Sequence, residues 1–332
     1  MSLTPTHTLL VMQTHRGDLP YGIRWRRAYA LCVGLLGLVV FLNGCSGKRL
    51  AANVLGDLLT GDAEIFASDD DPEFIREALP FGLKTLEGLL TSSPNHRGLL
   101  LSAAKGFTTY AYLLQEEADR WEAQDRSRAR LLRTRVKRLY LRARGYSFRG
   151  LELAHPQFEA TLRRDQDSAV AQTTKDDAPF LYWAGVSWGG VLSSAPDDLA
   201  LVSEAPLFAA LVRRVLDVNE RYEAGAAHEF LITYESSRPG GSAGLAREHF
   251  RRALTLTDTP RASLFVALAE GLSIKEQNLD EFRNLLARAL AVNPDREPQT
   301  RLINATAQRR ARWLLGQVPE LFLDTDNKEV IP

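Results

Sequence analysis

Aliphatic residues recur at steps of three and four along almost the whole chain from Pro72 onward. That period decides the fold class. In 72–90 the series is Ile75, Leu79, Leu83, Leu86 and Leu90, a spacing that lines one face of a 3.6-residue helix. Asp71 before Pro72 reads as an N-cap followed by proline at the first helical position. Pro80 lies inside the pattern and is expected to kink it. Ser93-Pro94 opens a second helix with Leu99, Leu100, Ala103, Phe107 and Leu114 on one side. The stretch 204–218 repeats the logic with Leu207, Leu211, Val215 and Val218. Period-two alternation is almost absent, and no β-branched run between turns reads as a central strand. The expected class is all-α.

The helical pattern also repeats. Arg213-Arg-Val-Leu216, Phe250-Arg-Arg-Ala-Leu254 and Leu286-Ala-Arg-Ala-Leu290 align, with the three leucines 38 and 36 residues apart. Ala246, Phe250 and Ala253, then Leu286, Ala289 and Pro294, match positions of the second helix of a tetratricopeptide repeat. One such hairpin cannot bury its own apolar face, so the pattern implies stacked helical hairpins, an α-solenoid. From Leu90 to Leu216 there are 126 residues, room for additional non-repeat helices. The expected layout is a repeat domain over 71–332 with an atypical insert at about 116–200.

The N-terminus points to export. Arg24, Arg26 and Arg27 precede the apolar run Ala28–Leu42, which is 15 residues long. A helix needs about 20 residues to cross hydrocarbon, so the run suits a signal peptide better than a span. An uncleaved signal anchor is the alternative. The run ends in Leu42-Asn43-Gly44-Cys45, which resembles a bacterial lipobox. Residues 1–44 are therefore expected to be a lipoprotein signal peptide, and 45–70 a lipidated N-terminus and tether attached through Cys45. Cys32 leaves with the signal, which removes cysteine catalysis and disulfides. With 41 basic and 41 acidic residues, no charge excess points to nucleic acid.

Motifs for chemistry are few. Gly185-Val-Ser187-Trp-Gly189 is a literal G-x-S-x-G, and Asp217 and His228 follow in hydrolase order. A serine nucleophile needs a strand–turn–helix beneath it, and no strands are expected here. The other reading is a run of small residues that lets helices approach. His96, His155, His228 and His249 do not pair at i, i+4, so neither a metal nor a cofactor is expected.

Two compositional features remain. Arg130, Arg133, Arg135, Lys137 and Arg138 belong to a dense basic run over 126–144 with an apolar stripe at Leu132, Val136, Leu139 and Ala143. It reads as a docking face for an acidic partner or lipid headgroups, or as a solvated helix paired with the acidic 116–125 stretch. Tyr182, Trp183 and Trp188, with Tyr222, His228 and Tyr234 later, read as core or as the lining of a cavity for an apolar or amphipathic ligand.

Several unusual segments then occur in an order that resembles one family. They are Ala67-Ser-Asp-Asp-Asp-Pro-Glu-Phe, Ser93-Pro-Asn-His-Arg-Gly-Leu-Leu, Pro179-Phe-Leu-Tyr-Trp-Ala-Gly-Val-Ser-Trp188, Tyr222-Glu-Ala-Gly-Ala-Ala-His228, Ala246-Arg-Glu-His-Phe and Leu302-Ile-Asn-Ala-Thr-Ala-Gln308. Together they resemble the T component of tripartite ATP-independent periplasmic (TRAP) transporters, the TatT family of tetratricopeptide-type lipoproteins. The resemblance implies a non-catalytic, periplasm-facing lipoprotein that docks the solute-binding P component and assists uptake of a small, hydrophobic organic ligand. It further implies a homo-oligomer with a cavity or pore, and no catalytic residues. A general scaffold for envelope assembly is the second reading, and a hydrolase using Ser187 the third.

Overall fold

Asp71 starts the first long helix among the described residues. Its carboxylate accepts from the Glu73 and Phe74 amides at 2.9 and 3.1 Å, and Pro72 takes the first helical position, where its missing N–H costs nothing. The computed structural model describes residues 63–323; the expected signal peptide and the Cys45 anchor lie outside them. Helix α1 (Pro72–Ser92) runs through Pro80 and buries Ile75, Leu79, Leu83 and Leu90. Helix α2 (Arg97–Trp121) begins later than Ser93-Pro94 suggests, because Pro94 and Asn95 first complete a turn. His96 is its cap, with Nδ1 accepting the Leu99 amide at 3.2 Å.

The long basic helix α3 (Arg126–Glu152) starts at Asp125, whose carboxylate accepts the Arg128 amide at 3.0 Å. Short helical turns lead to α4 (Ala178–Ser194) and α5 (Ala205–Asn219). Helices α6 (Ala226–Ser237), α7 (Ala243–Leu256) and α8 (Ala262–Leu268) follow. Helix α8 runs on into a π-helical turn, Ala269–Ser273, before α9 (Leu279–Ala291) and α10 (Arg301–Gly316). Among the described residues every regular element is helical. The aligned leucines Leu216, Leu254 and Leu290 fall on α5, α7 and α9.

Two apolar clusters hold these helices. The first joins α1 to α5 through Leu99, Leu114, Leu151, Leu181, Trp188 and Leu211. The second joins α7 to α10 through Phe265, Phe282, Leu286 and Ala311. Helix α6 serves both, giving Leu231 to the first and Ile232 to the second.

The G-x-S-x-G lies in the middle of α4. Ser187 is buried, and its hydroxyl donates to the Trp183 carbonyl at 2.6 Å. A Cβ on Gly185 would meet Val212 Cγ2 at 2.4 Å, and one on Gly190 would meet the Tyr140 ring at 2.5 Å. The small residues therefore admit α5 and α3 to either side of α4. Asp217 faces solvent, 3.7 Å from Arg214, and His228 bonds elsewhere.

Helix α10 packs back against α1 and α2. Arg309 reaches Glu73 at 2.7 Å and also pairs with Glu116. Arg310 lies 3.2 Å from Asp119 on α2 and also pairs with Glu270 on the π-helical turn. Helices α2, α4, α5, α6, α8 and α10 thus pack in a closed circuit.

Candidate functional site: an aromatic and ionic inner wall

Helix α2 buries twelve of its 25 residues, yet a stripe of it stays open. Lys105, Thr109, Tyr112 and Asp119 are accessible along a helix whose other faces bury Leu99, Leu100, Leu113 and Leu114. Tyr112 keeps 39% of its surface accessible, but burial is the main cause that pushes its hydroxyl pKa up, with Glu116 adding to it.

Other helices of the circuit bring charged groups close to Tyr112 and Tyr182. Glu116, Arg310, Glu270 and Glu229 act electrostatically on Tyr112, and Arg261, Glu229 and Glu223 act on Tyr182. Arg261 stands at the start of α8, with Nη2 3.1 Å from Glu229 Oε2 on α6. That carboxylate oxygen is buried without an aligned hydrogen bond. Burial works against the Arg261 charge and is the largest single influence, yet Glu229, Tyr182 and Glu223 together outweigh it and the guanidinium pKa rises. A crevice with about 10 Å³ of free volume lies beside the pair, lined by Gly225, Glu229, Thr257, Pro260, Arg261 and Leu264. That is room for about one water, far below the roughly 300 Å³ of the smallest usual ligand sites, so the crevice is not itself a ligand site.

Three of the aromatic residues singled out from the sequence meet here. Trp183 donates its indole N–H to the Tyr222 hydroxyl at 3.1 Å. The Tyr182 ring lies 5.1 Å from Trp183 and 5.5 Å from Tyr222. Lys105 sits 5.7 Å from the Trp183 ring and bonds Glu223 at 2.8 Å. Burial tends to raise the Glu223 pKa, but Lys105 and then Arg261 overcome it and hold the carboxyl ionised. This corner offers flat π faces beside a cation, a surface suited to an amphipathic guest.

The other three candidates lie apart. Trp188 is fully buried between Phe148 and Phe208, with its N–H on Glu204 at 2.9 Å. Tyr234 packs edge-on to Phe208 at 6.0 Å, and Arg213 and Arg238 lie over its ring. His228 is 5% exposed. Its Nδ1 is 2.9 Å from His249 Nδ1, and its Nε2 is 3.1 Å from Glu220. The wall residues that sequence reading missed are Lys105, Tyr112, Glu223, Glu229 and Arg261. The i, i+7 pair Lys105 and Tyr112 was a usable signal; the Arg261–Glu229 pair had none, because its members sit on different helices.

The histidine pair makes stability depend on pH. Burial depresses both ring pKa values below the ordinary 6.5; Glu220 opposes the shift at His228, and His228 adds to it at His249. The unfolded chain then binds more protons than the folded one as pH falls below 6.5. Stability is full above that value and is lost as pH drops toward the folded values. Arg252, and after it His228, hold Glu220 down to about 2, so its contribution disappears only in a second, more acid window. Thermal melts between about pH 7.5 and 5 are expected to show a falling melting temperature; a flat curve contradicts the assignment.

The basic helix divides its charges. Arg133 pairs with Glu122 and lies 3.5 Å from Asp119, Arg135 donates to the Tyr110 hydroxyl, and Lys137 bonds Asp198 at 3.2 Å. Arg130 and Arg138 are exposed and have no ion-pair partner among the described residues. Leu131 and Leu141 lie between and beyond them, 74% and 40% exposed.

A family model described as TRAP transporter T-component matches residues 68–322. An uncharacterized protein of Treponema pallidum (strain Nichols) is 29% identical over 327 residues, covering 89% of this chain and 98% of that protein.

Proposed function

The chain belongs to the TRAP transporter T-component family, and from that premise we propose that it is a non-catalytic, lipid-anchored, periplasm-facing subunit. It docks the solute-binding P component and holds a small, largely apolar organic ligand during uptake. The observation that carries the ligand reading is the inner corner of Tyr182, Trp183 and Tyr222 beside Lys105 and Glu223. Aromatic faces take the apolar body of a guest, and the adjoining charges take a polar end. Stacked tetratricopeptide-like hairpins supply the frame in this reading, with α5, α7 and α9 carrying the repeated leucines. Arg130 and Arg138 with Leu131 and Leu141 offer an amphipathic docking stripe for the partner protein.

The anchor at Cys45 keeps the pair at the membrane and raises their effective concentration. Cys45→Ala is expected to remove metabolic palmitate labelling and release the protein from the membrane; unchanged labelling sinks the anchor. An affinity pull-down from envelope extract tests the partner. Recovery of a solute-binding protein, weakened by Arg130→Glu with Arg138→Glu, is the expected result. Recovery of outer-membrane assembly proteins without it favours the general scaffold.

A further inference from the structure

The connector between α5 and α6 holds three consecutive left-handed residues, Glu223 (φ 45°), Ala224 (φ 55°) and Gly225 (φ 86°). Glycine takes that region freely; the other two do so against the clash of Cβ with the carbonyl oxygen. Such a segment persists when its surroundings over-determine it. This one is where the chain delivers Tyr222 to Trp183 and Glu223 to Lys105.

The surrounding restraint is built from side chains at both ends of the connector. Glu220 closes α5, and its Oε1 bonds His228 Nε2 in the first turn of α6 at 3.1 Å. From α7, Arg252 holds the same carboxylate through two bonds of 2.7 Å. Also from α7, His249 brings its Nδ1 to 2.9 Å from His228 Nδ1. We propose that Glu220, His228 and His249 form a clasp that positions Tyr222 and Glu223 on the inner wall, and that acid opens it.

Proton arithmetic gives the direction. With its Nε2–H donated to Glu220, a neutral His228 accepts at Nδ1 and His249 donates. The two Nδ1 atoms share one proton. When both rings are charged, two N–H groups point at each other and the contact becomes repulsive. Glu220, Arg252 and Glu248 face His228, while Glu248, Glu235 and Arg213 face His249. The carboxylates favour charging and the arginines oppose it; burial opposes it in both rings and keeps the pair neutral at neutral pH. Separating the rings moves α7, and Arg252 with it, away from α6; Glu220 cannot keep both Arg252 and His228, so the strained connector loses one of its two holds.

The value of the clasp to a ligand rests on the reading of the inner wall given above, but the clasp is tested with no ligand present. Trp183 reports on Tyr222 through their hydrogen bond. Its emission is obtained as the difference between the protein and its Trp183→Phe variant, followed from about pH 8 to 5. The expected result is a red shift as pH falls below 6.5. Glu220→Ala and His228→Ala shift the emission already at the alkaline end. His249→Leu abolishes the acid response, because one ring then has no rival for its proton. Adding Ala224→Gly to His228→Ala returns the emission toward the parent, since glycine needs no restraint there. Parent-like alkaline emission in Glu220→Ala with helical circular dichroism intact overturns the proposal, and so does an undiminished acid shift in His249→Leu. Should His228→Ala fail to fold, the Glu220 and His249 variants decide alone.

Discussion

Replacing Arg309 with alanine is expected to cost about 3 kcal/mol of unfolding free energy, seen as a lower denaturation midpoint at unchanged slope. Arg309 ties α10 to two helices at once, through Glu73 on α1 and Glu116 on α2. The Glu116 side chain is 4% exposed and that of Arg309 21%, so the truncation leaves a carboxylate enclosed and uncompensated. Removing one member of a buried pair costs about 3–5 kcal/mol, and the partial exposure of Arg309 sets the lower end. Desolvating both charges costs nearly as much as their attraction returns. Joint replacement by Glu116→Met and Arg309→Met is therefore expected to lose much less than either single change. Equal losses in all three would show that the helix contact, rather than the charge pair, closes the circuit.

Trp188→Ala is expected to cost about 3–5 kcal/mol, the range for deleting a buried aromatic. The indole is fully buried, touches Phe148 and Phe208, lies 4.5 Å from the Arg144 guanidinium and donates to Glu204. Truncation leaves a cavity where α3, α4 and α5 meet and frees one bond to an ionised carboxylate. Tyr182→Ala, on another face of the same helix, is expected to cost markedly less, because its ring is only partly buried and packs on Trp183 and Tyr222 at the margin of the core. Chemical denaturation of the two variants side by side separates a core aromatic from a wall aromatic. Similar losses would erase that distinction.

The helical class was legible because it is written locally, in the three-and-four spacing of Ile75, Leu79, Leu83 and Leu90 and in the Asp71-Pro72 start. The small-residue reading of Gly185, Ser187 and Gly190 was legible for the same reason: without strands the serine had no turn to sit on. The division among the aromatics was half-legible. Trp188 follows Tyr182 by six residues and Trp183 by five, which at about 100° per residue puts it across the helix from both. Composition alone hid that. The circuit closure was not legible, since Arg309 and Glu116 are 193 residues apart. The left-handed connector was hidden too: Tyr-Glu-Ala-Gly shows a glycine for one such residue and nothing for Glu223 or Ala224. His228 and His249 were visible as residues, but their meeting depends on how α6 and α7 pack.

Native mass spectrometry of the full chain, extracted in mild detergent from its own envelope, tests most directly whether the inner wall holds a guest. A single small organic molecule on the parent protein, absent from a folded Tyr222→Ala variant, is the expected result. A parent that carries no such molecule, or a variant that carries it equally, contradicts the account.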